Sequence, residues 1–260
     1  MSGKYNYIAV DLGAESGRVM LASLGKGKLS LQQVHRFANA PVEQQNSLRW
    51  DFPKIFSEIK TGIKKAFAVN SNIESIGVDT WGVDFGLIDE KGTLIENPYH
   101  YRDKRTEGVL EKACEIVPKK DIYFSTGIQF LPFNSLYQLL AYKWQNPDVL
   151  SRASKLLFMP DLFVYFLTGA IAAEYTIAST SQMMDMKTGQ WSQKLLQALE
   201  LPKDVLPEII QPGTKIGALK KEIAEQLNCK PIPVIAVGSH DTASAVGQAG
   251  RIFPAEPGLY

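Results

Sequence analysis

The first forty residues constrain the topology more than any other part of the chain. Three β-prone runs, 7–10, 18–24 and 29–37, follow one another directly, with Gly13, Gly17 and the Gly25/Gly27 pair at the turns and Asn39-Ala40-Pro41 as the stop. Apolar residues in these runs favour strands, and the glycines favour reversals of the chain. The opening therefore reads as an antiparallel meander. It excludes the strand-helix-strand start of a dinucleotide-binding domain.

Helical periodicity begins at residue 51. Phe52, Ile55, Phe56, Ile59, Ile63, Ala66 and Phe67 predict one amphipathic helix over 51–68, with Pro53 in the first turn, where its missing N–H costs little. A second strand pair is expected at 73–79 and 83–88, before a turn at Asp89-Glu90-Lys91-Gly92. Beyond Arg105 helices dominate: 106–117, 134–144 with Asn134 as N-cap, and 160–168 with Gly169 as the stop. Alternation then returns as a helix at 220–227, a strand at 233–237 and a helix of small residues at 241–248. The last ten residues carry Pro254, Pro257 and Gly258 and lead toward a further strand. This is the layout of a ribonuclease-H-like α/β domain, 1–260, with a mostly helical insertion at about 104–200. Periodicity does not separate it from other mixed folds, so the loops must decide.

Composition removes several classes of function. With 260 residues, 45% of them hydrophobic, the chain can bury a sizeable core. Lys+Arg 28 against Asp+Glu 27 leaves a net charge of +1, too little to neutralise a phosphate backbone, so no nucleic-acid partner is expected. Cys114 and Cys229 lie far apart with no Cys-x-x-Cys pair, which argues against a disulfide framework and a zinc site. There is no leader-like apolar segment at the start and no run near the ~20 apolar residues of a membrane span, so a soluble, cytoplasmic protein without a membrane partner is expected.

Three loops carry chemistry. Asp11-Leu12-Gly13-Ala14-Glu15-Ser16-Gly17-Arg18 offers an acid at a strand end, two glycines, a hydroxyl and a cation on the return strand. Such a hairpin can aim N–H groups at phosphate oxygens while Asp11 holds a hydrated Mg²⁺, and an ordinary glycine-rich turn is the competing reading. The P-loop, Gly-x-Gly-x-x-Gly and Gly-x-Ser-x-Gly patterns are absent from the sequence. Asp79-Thr80-Trp81-Gly82-Val83-Asp84-Phe85-Gly86 sets two acids and an indole about a glycine, which suits a polyhydroxylated ring or, alternatively, a buried core tryptophan. Gly238-Ser239-His240-Asp241-Thr242 follows an apolar strand and opens a helix. There Asp241 can be a helix cap, a base toward a hydroxyl, or both, since a helix N-terminus favours the ionised carboxylate. His240 suits a substrate contact and a structural ring equally. The charged run 101–105 reads as a solvated loop, whereas 127–135 is too apolar to stand exposed, so it lines or covers something.

Taken together, these motifs resemble the N-terminal lobe of carbohydrate kinases of the FGGY family, in the actin-like ATPase superfamily, and most closely its rhamnulokinase branch. The resemblance rests on residues 75–85, Tyr101-Arg102-Asp103, residues 126–136 and residues 239–246. It implies Asp241 as the base toward the 1-hydroxyl of L-rhamnulose. It implies sugar contacts from Gly82, His240 and Thr242, with Asp79, Trp81 and Arg102 beside them. It places Ala14, Glu15, Ser16, Gly17 and Arg18 at the ATP phosphates, and Asp11 at Mg²⁺. Glu15 departs from the small hydroxyl residue of such loops, and its charge must point away from phosphate or meet the metal. L-fuculose or another deoxyketose, or sugar binding without catalysis, are the competing outcomes. Relatives carry a second lobe with the adenine pocket, absent from these 260 residues, so weak or no transfer by this chain is expected.

Overall fold

The computed structural model describes residues 4–252. In chain order the strands and helices are β1 (Tyr5–Leu12), β2 (Ser16–Gly25), β3 (Lys28–Ala38), β4 (Pro41–Gln44), β5 (Ser47–Trp50), α1 (Phe52–Val69), β6 (Ser75–Thr80) and β7 (Phe85–Ile88). Then come α2 (Val109–Ile116), α3 (Lys119–Thr126), α4 (Ser135–Gln145), α5 (Pro147–Ser151), β8 (Lys155–Phe158), α6 (Met159–Thr168), β9 (Ala173–Glu174), α7 (Tyr175–Ser179), β10 (Met184–Asp185), β11 (Gln190–Trp191) and α8 (Gln193–Ala198). β12 (Ile209–Ile210), β13 (Lys215–Ala218), α9 (Lys221–Leu227), β14 (Pro233–Ile235) and α10 (Asp241–Ile252) complete the described chain.

A six-stranded sheet in the order β13-β14-β6-β1-β2-β3 forms the frame. The expected meander is present: β2 pairs antiparallel with both β1 and β3. β6 and β14 then run parallel to β1, which requires the crossovers that α1 and the long middle segment provide. Alternation along β1 and β6 puts Ile8, Val10, Leu12, Ile76 and Val78 on the core face. That face is covered by Ile59 and Ile63 of α1, Phe163 and Leu167 of α6, and Leu227 of α9. Phe52 and Phe163 stack across the layer, with ring centroids 5.1 Å apart. α1 begins where expected because the Asp51 carboxylate accepts the Lys54 N–H at 3.2 Å and Pro53 sits in the first turn.

The middle segment builds a second core from residues including Phe85, Leu136, Tyr137, Leu140, Phe158, Ile177 and Leu196. Here the structure corrects the sequence reading. The two strands expected to pair at 73–79 and 83–88 part company: β6 joins the large sheet, whereas β7 pairs antiparallel with β8, some seventy residues later. Loop 81–84 lies between them and carries the chain from one core to the other. The β4/β5 hairpin was hidden by Pro41 and by the polar Gln44-Gln45-Asn46-Ser47 turn, in which Gln45 and Asn46 both take positive φ. α2 starts three residues later than expected, after Gly108 at φ +74°. Gly169 does end α6, at φ +83°. The strand anticipated at the end of the chain lies outside the described residues.

Candidate functional site

β1, β6 and β14 run parallel, so their carboxyl ends lie along one edge of the sheet, where ligands commonly bind in α/β folds. Backbone hydrogen bonds stitch the emerging loops together: Trp81 N–H donates to the Leu12 carbonyl at 3.2 Å, and Thr80 N–H to the Ser239 carbonyl at 2.9 Å. Thr80 and His240 form a parallel bridge. Three motifs separated by about seventy and 160 residues thus meet because the sheet orders their strands side by side.

A cavity of about 430 Å³ opens beside them. Trp81, Gly82 and Val83 form its floor, and His240 stands at its edge. Ile128, Leu131 and Phe133 form the opposite wall, which accounts for the apolar character of the 127–135 loop. Tyr101 and Phe133 meet edge to face at 5.6 Å, and Ala14 of the first hairpin reaches the same space. The walls are largely apolar with few polar groups, as in many small-molecule sites.

Asp84 holds the floor in place without reaching the cavity. It is fully buried, and its Oδ2 accepts the Trp50 indole N–H at 2.7 Å, the Trp81 indole N–H at 3.0 Å and the Tyr101 N–H at 3.2 Å. Its Oδ1 accepts the Gln138 amide at 2.8 Å. Burial pushes its carboxyl up to about 6, against the lowering effect of these hydrogen bonds. The sequence reading paired Asp84 with Asp79 as acceptors for sugar hydroxyls. Asp84 is instead committed to indoles and an amide, and Trp81 is at once a core residue and a cavity wall.

Val83 takes φ +68°, a left-handed backbone that a β-branched residue rarely adopts. Its N–H donates to Thr180 Oγ1 at 3.2 Å, and its carbonyl accepts the Ser135 hydroxyl at 2.6 Å and the Gln138 amide at 3.3 Å. Strain of this kind, about 1–3 kcal/mol, persists only where the surroundings over-determine it. Gly82, next to it, faces His240 Nε2 and the Thr180 side chain, each 3.3 Å from where a Cβ would stand.

Asp241 is the first residue of α10, so His240 rather than Asp241 precedes the helix. The Asp241 Oδ1 accepts the Thr242 N–H at 2.6 Å and the Thr242 hydroxyl at 3.1 Å, and lies 3.5 Å from His240 Nε2. Burial lowers the pKa of the His240 ring, against the pull of Asp241 and Glu174, which favours neutral imidazole. Asp241 is 42% exposed and Thr242 exposed, and neither lines the cavity, which His240 alone of the three reaches.

The first hairpin joins the site through Asp11. Register sets Asp11 opposite both Arg18 on β2 and Asp79 on β6, on the sheet face away from the core. Arg18 Nε donates to Asp11 Oδ2 at 2.7 Å, and Arg18 remains 53% exposed. Asp79 is pushed up to about 7, mainly by burial and then by the charges of Asp11 and Asp241. Asp11 and Asp79 are cross-strand neighbours on one face, a pair that could meet a hydrated divalent cation, which is held through water and phosphate as much as by protein oxygens. Among the described residues no group of three His, Cys, Asp or Glu side chains forms a direct metal cage. Gly17 owes its place to packing, since a Cβ there would run into Phe37 and Leu12. Ser16 is half-buried and Glu15 exposed, and Arg102 is exposed in an adjoining 330 Å³ pocket with Glu15. Arg102 therefore does not line the cavity that holds Trp81 and Gly82.

Residues 6–247 match the N-terminal domain of the FGGY family of carbohydrate kinases. The chain belongs to this family. Its FGGY relatives include a rhamnulokinase of Pectobacterium atrosepticum, 44% identical over 243 residues that make up 93% of this chain and 48% of that protein. A rhamnulokinase of Bacteroides thetaiotaomicron is 42% identical, over 94% of this chain and 50% of that protein. The chain thus spans about half the length of these relatives. In fold it is similar to a ligand-bound xylulose kinase from Lactobacillus acidophilus, with TM-score 0.85, 22% identity, and coverage of 95% of this chain and 50% of that one. It is similar also to Plasmodium falciparum glycerol kinase with ADP, with TM-score 0.79, 21% identity, and coverage of 94% and 50%. The sheet and its α/β layers are therefore those of FGGY sugar kinases, of the actin-like ATPase fold, as the loops implied. Among the described residues no helix is long and apolar enough to cross a membrane.

Sequence reading missed Thr180 and Glu174, which support this FGGY site from the middle segment. Thr180 had no signal of its own. Glu174, two residues before Thr176, has the form of a helix cap, but Glu is an uncommon residue there.

Proposed function

We propose that this chain is the sugar-binding lobe of an ATP-dependent ketose kinase that phosphorylates the 1-hydroxyl of L-rhamnulose in the cytoplasm. The observation that carries the reading is the union of an apolar cavity of about 430 Å³ edged by His240, the Asp241 carboxylate 3.5 Å from that ring, and the Asp11-to-Arg18 hairpin beside it. Similarity to rhamnulokinases at 42–44% identity supports the sugar. Trp81 and the 128–133 wall offer apolar surface to the C–H face and methyl group of a deoxyketose, while Gly82 and His240 approach its hydroxyls.

In this reading Asp241 orients the 1-hydroxyl and accepts its proton as the oxygen attacks the γ-phosphorus and the bond to ADP breaks. Phosphoryl transfer passes through a loose transition state, for which a weak carboxylate base suffices. His240, neutral, donates or accepts one hydrogen bond at the sugar, and Thr242 holds the Asp241 carboxylate. N–H groups of residues 14–17 and the Arg18 guanidinium face the phosphates. Asp11, with Asp79 behind it, would hold Mg²⁺, which neutralises charge on the transferring phosphate.

The test is coupled ADP release with MgATP and L-rhamnulose, beside D241N, together with direct calorimetric binding of L-rhamnulose and L-fuculose. Binding of L-rhamnulose with little turnover by the 260-residue chain, and rhamnulose-dependent ADP release abolished by D241N once a C-terminal lobe is supplied, is the expected result. Tighter L-fuculose binding overturns the sugar assignment. Ketose binding with no turnover even beside a C-terminal lobe overturns the kinase reading in favour of a binding module.

A further inference from the structure

Glu174, at the end of β9, is 1% exposed, and its carboxylate gathers five hydrogen bonds from two distant parts of the chain. Three of them lie at the start of α7: Oε1 accepts the Thr176 N–H at 2.9 Å, and Oε2 accepts the Ile177 N–H at 3.1 Å and the Thr176 hydroxyl at 2.5 Å. The two N–H bonds cap the helix, and the third holds the Thr176 hydroxyl that meets residue 240. The other two serve residue 239, sixty-five positions later: Oε2 also accepts the Ser239 N–H at 3.1 Å and the Ser239 hydroxyl at 2.6 Å. Thr176 Oγ1 in turn accepts the His240 N–H at 3.2 Å.

Ser239 and His240 lead directly into Asp241. Their backbone is held on one side by β6, through the Thr80 N–H, and on the other by Glu174 and Thr176. At the far end of the same short helix, Thr180 accepts the Val83 N–H and packs against Gly82. α7 thus ties the loop that carries His240 and Asp241 to the loop that forms the cavity floor. Behind it, Asp161 Oδ1 accepts the Glu174 N–H at 3.2 Å, and burial together with the Glu174 charge holds the Asp161 carboxyl well above its usual range. Five donors from two segments converge on the Glu174 carboxylate, which suits a residue that must fix both at once.

Capping alone does not call for this residue. Aspartate is the better N-cap in general, and it is one methylene shorter. The added length is what spans from the start of α7 to Ser239. We infer that Glu174 is a positioning residue, fixing the Ser239-His240 backbone and thereby setting where His240 and Asp241 stand against the cavity. The inference deepens the kinase reading, and only the ketose arm of its test rests on that reading.

E174D separates the two roles, because it keeps a cap for α7 and shortens the reach to Ser239. Amide hydrogen exchange of the 260-residue chain is followed by NMR, and L-rhamnulose affinity by titration of tryptophan fluorescence. In E174D the Ser239 and His240 amides are expected to exchange about 10-fold faster while those of β1, β6 and α7 keep their rates, and ketose affinity to fall about 10-fold. Wild-type protection at both amides in E174D overturns the inference, as does faster exchange with wild-type ketose affinity. If E174D loses its cooperative melt, S239A, which removes only the 2.6 Å hydroxyl bond, decides: faster exchange at His240 supports the inference and unchanged exchange overturns it. A wild-type chain that binds no ketose defeats the kinase reading, while the exchange comparison still judges Glu174.

Discussion

The Trp81 indole N–H donates to Asp84 at 3.0 Å, so the cavity floor is oriented by an acid that never touches the cavity. The same oxygen accepts the Trp50 indole, and the other accepts Gln138. An amide in place of that carboxylate turns an NH₂ group toward at least one donor. D84N is therefore expected to lose about 1–3 kcal/mol of stability, read from urea denaturation at pH 7.

Asp84 also predicts a pH dependence. Burial raises its carboxyl from 3.8 to about 6. Between those values the native state holds a proton that the unfolded chain has released, so this group makes stability fall as pH rises and contributes no further slope above about 6. Denaturation midpoints from pH 4 to pH 8 should show that component in the wild type and lack it in D84N.

Thr180 supports the strained Val83 peptide through a 3.2 Å hydrogen bond. T180V keeps the shape and removes the acceptor, leaving the Val83 N–H without its partner. A stability loss of about 1 kcal/mol is expected, with a larger proportional loss of L-rhamnulose affinity, measured by thermal melts and calorimetry on the same samples.

Gly82 leaves room between His240 and Thr180 that a methyl group would fill at 3.3 Å contacts. G82A should push the His240 ring aside. Ketose affinity is expected to drop several-fold while stability changes by about 1 kcal/mol or less. An equal effect on both in calorimetric titration and melting would contradict a role at the sugar.

Gly17 predicts the opposite balance. A Cβ there meets Phe37 and Leu12, so G17A is expected to cost about 1–3 kcal/mol through overpacking of the hairpin. Loss of the melting temperature should accompany any loss of nucleotide affinity, because the glycine's first duty is to pack.

Local signals made most of the frame readable. The meander, α1 and the return to α9, β14 and α10 each follow from periodicity, glycine or a cap within a few residues. The pairing of β7 with β8 was not readable, because the alternation of a short apolar strand does not say which partner lies across from it. The site divided in the same way. Gly82, Trp81 and His240 meet at the cavity because their strands are neighbours, and each was singled out by a local motif. Arg102 looked similar in its charged run but turned to a neighbouring pocket. Glu174 and Thr180 escaped because their meaning lies in partners sixty-five and ninety-seven residues away.

The passage from Trp81 in one core to Phe85 in the other has a further consequence. A guest in the cavity touches Trp81, a member of the first core, and the 128–133 loop that runs into α4 of the second, so it links the two bodies. Mass action then makes occupancy a source of cohesion: binding favours the state in which both bodies are folded and apposed. Saturating sugar should accordingly raise and sharpen the melting transition that the sheet and the helical segment share.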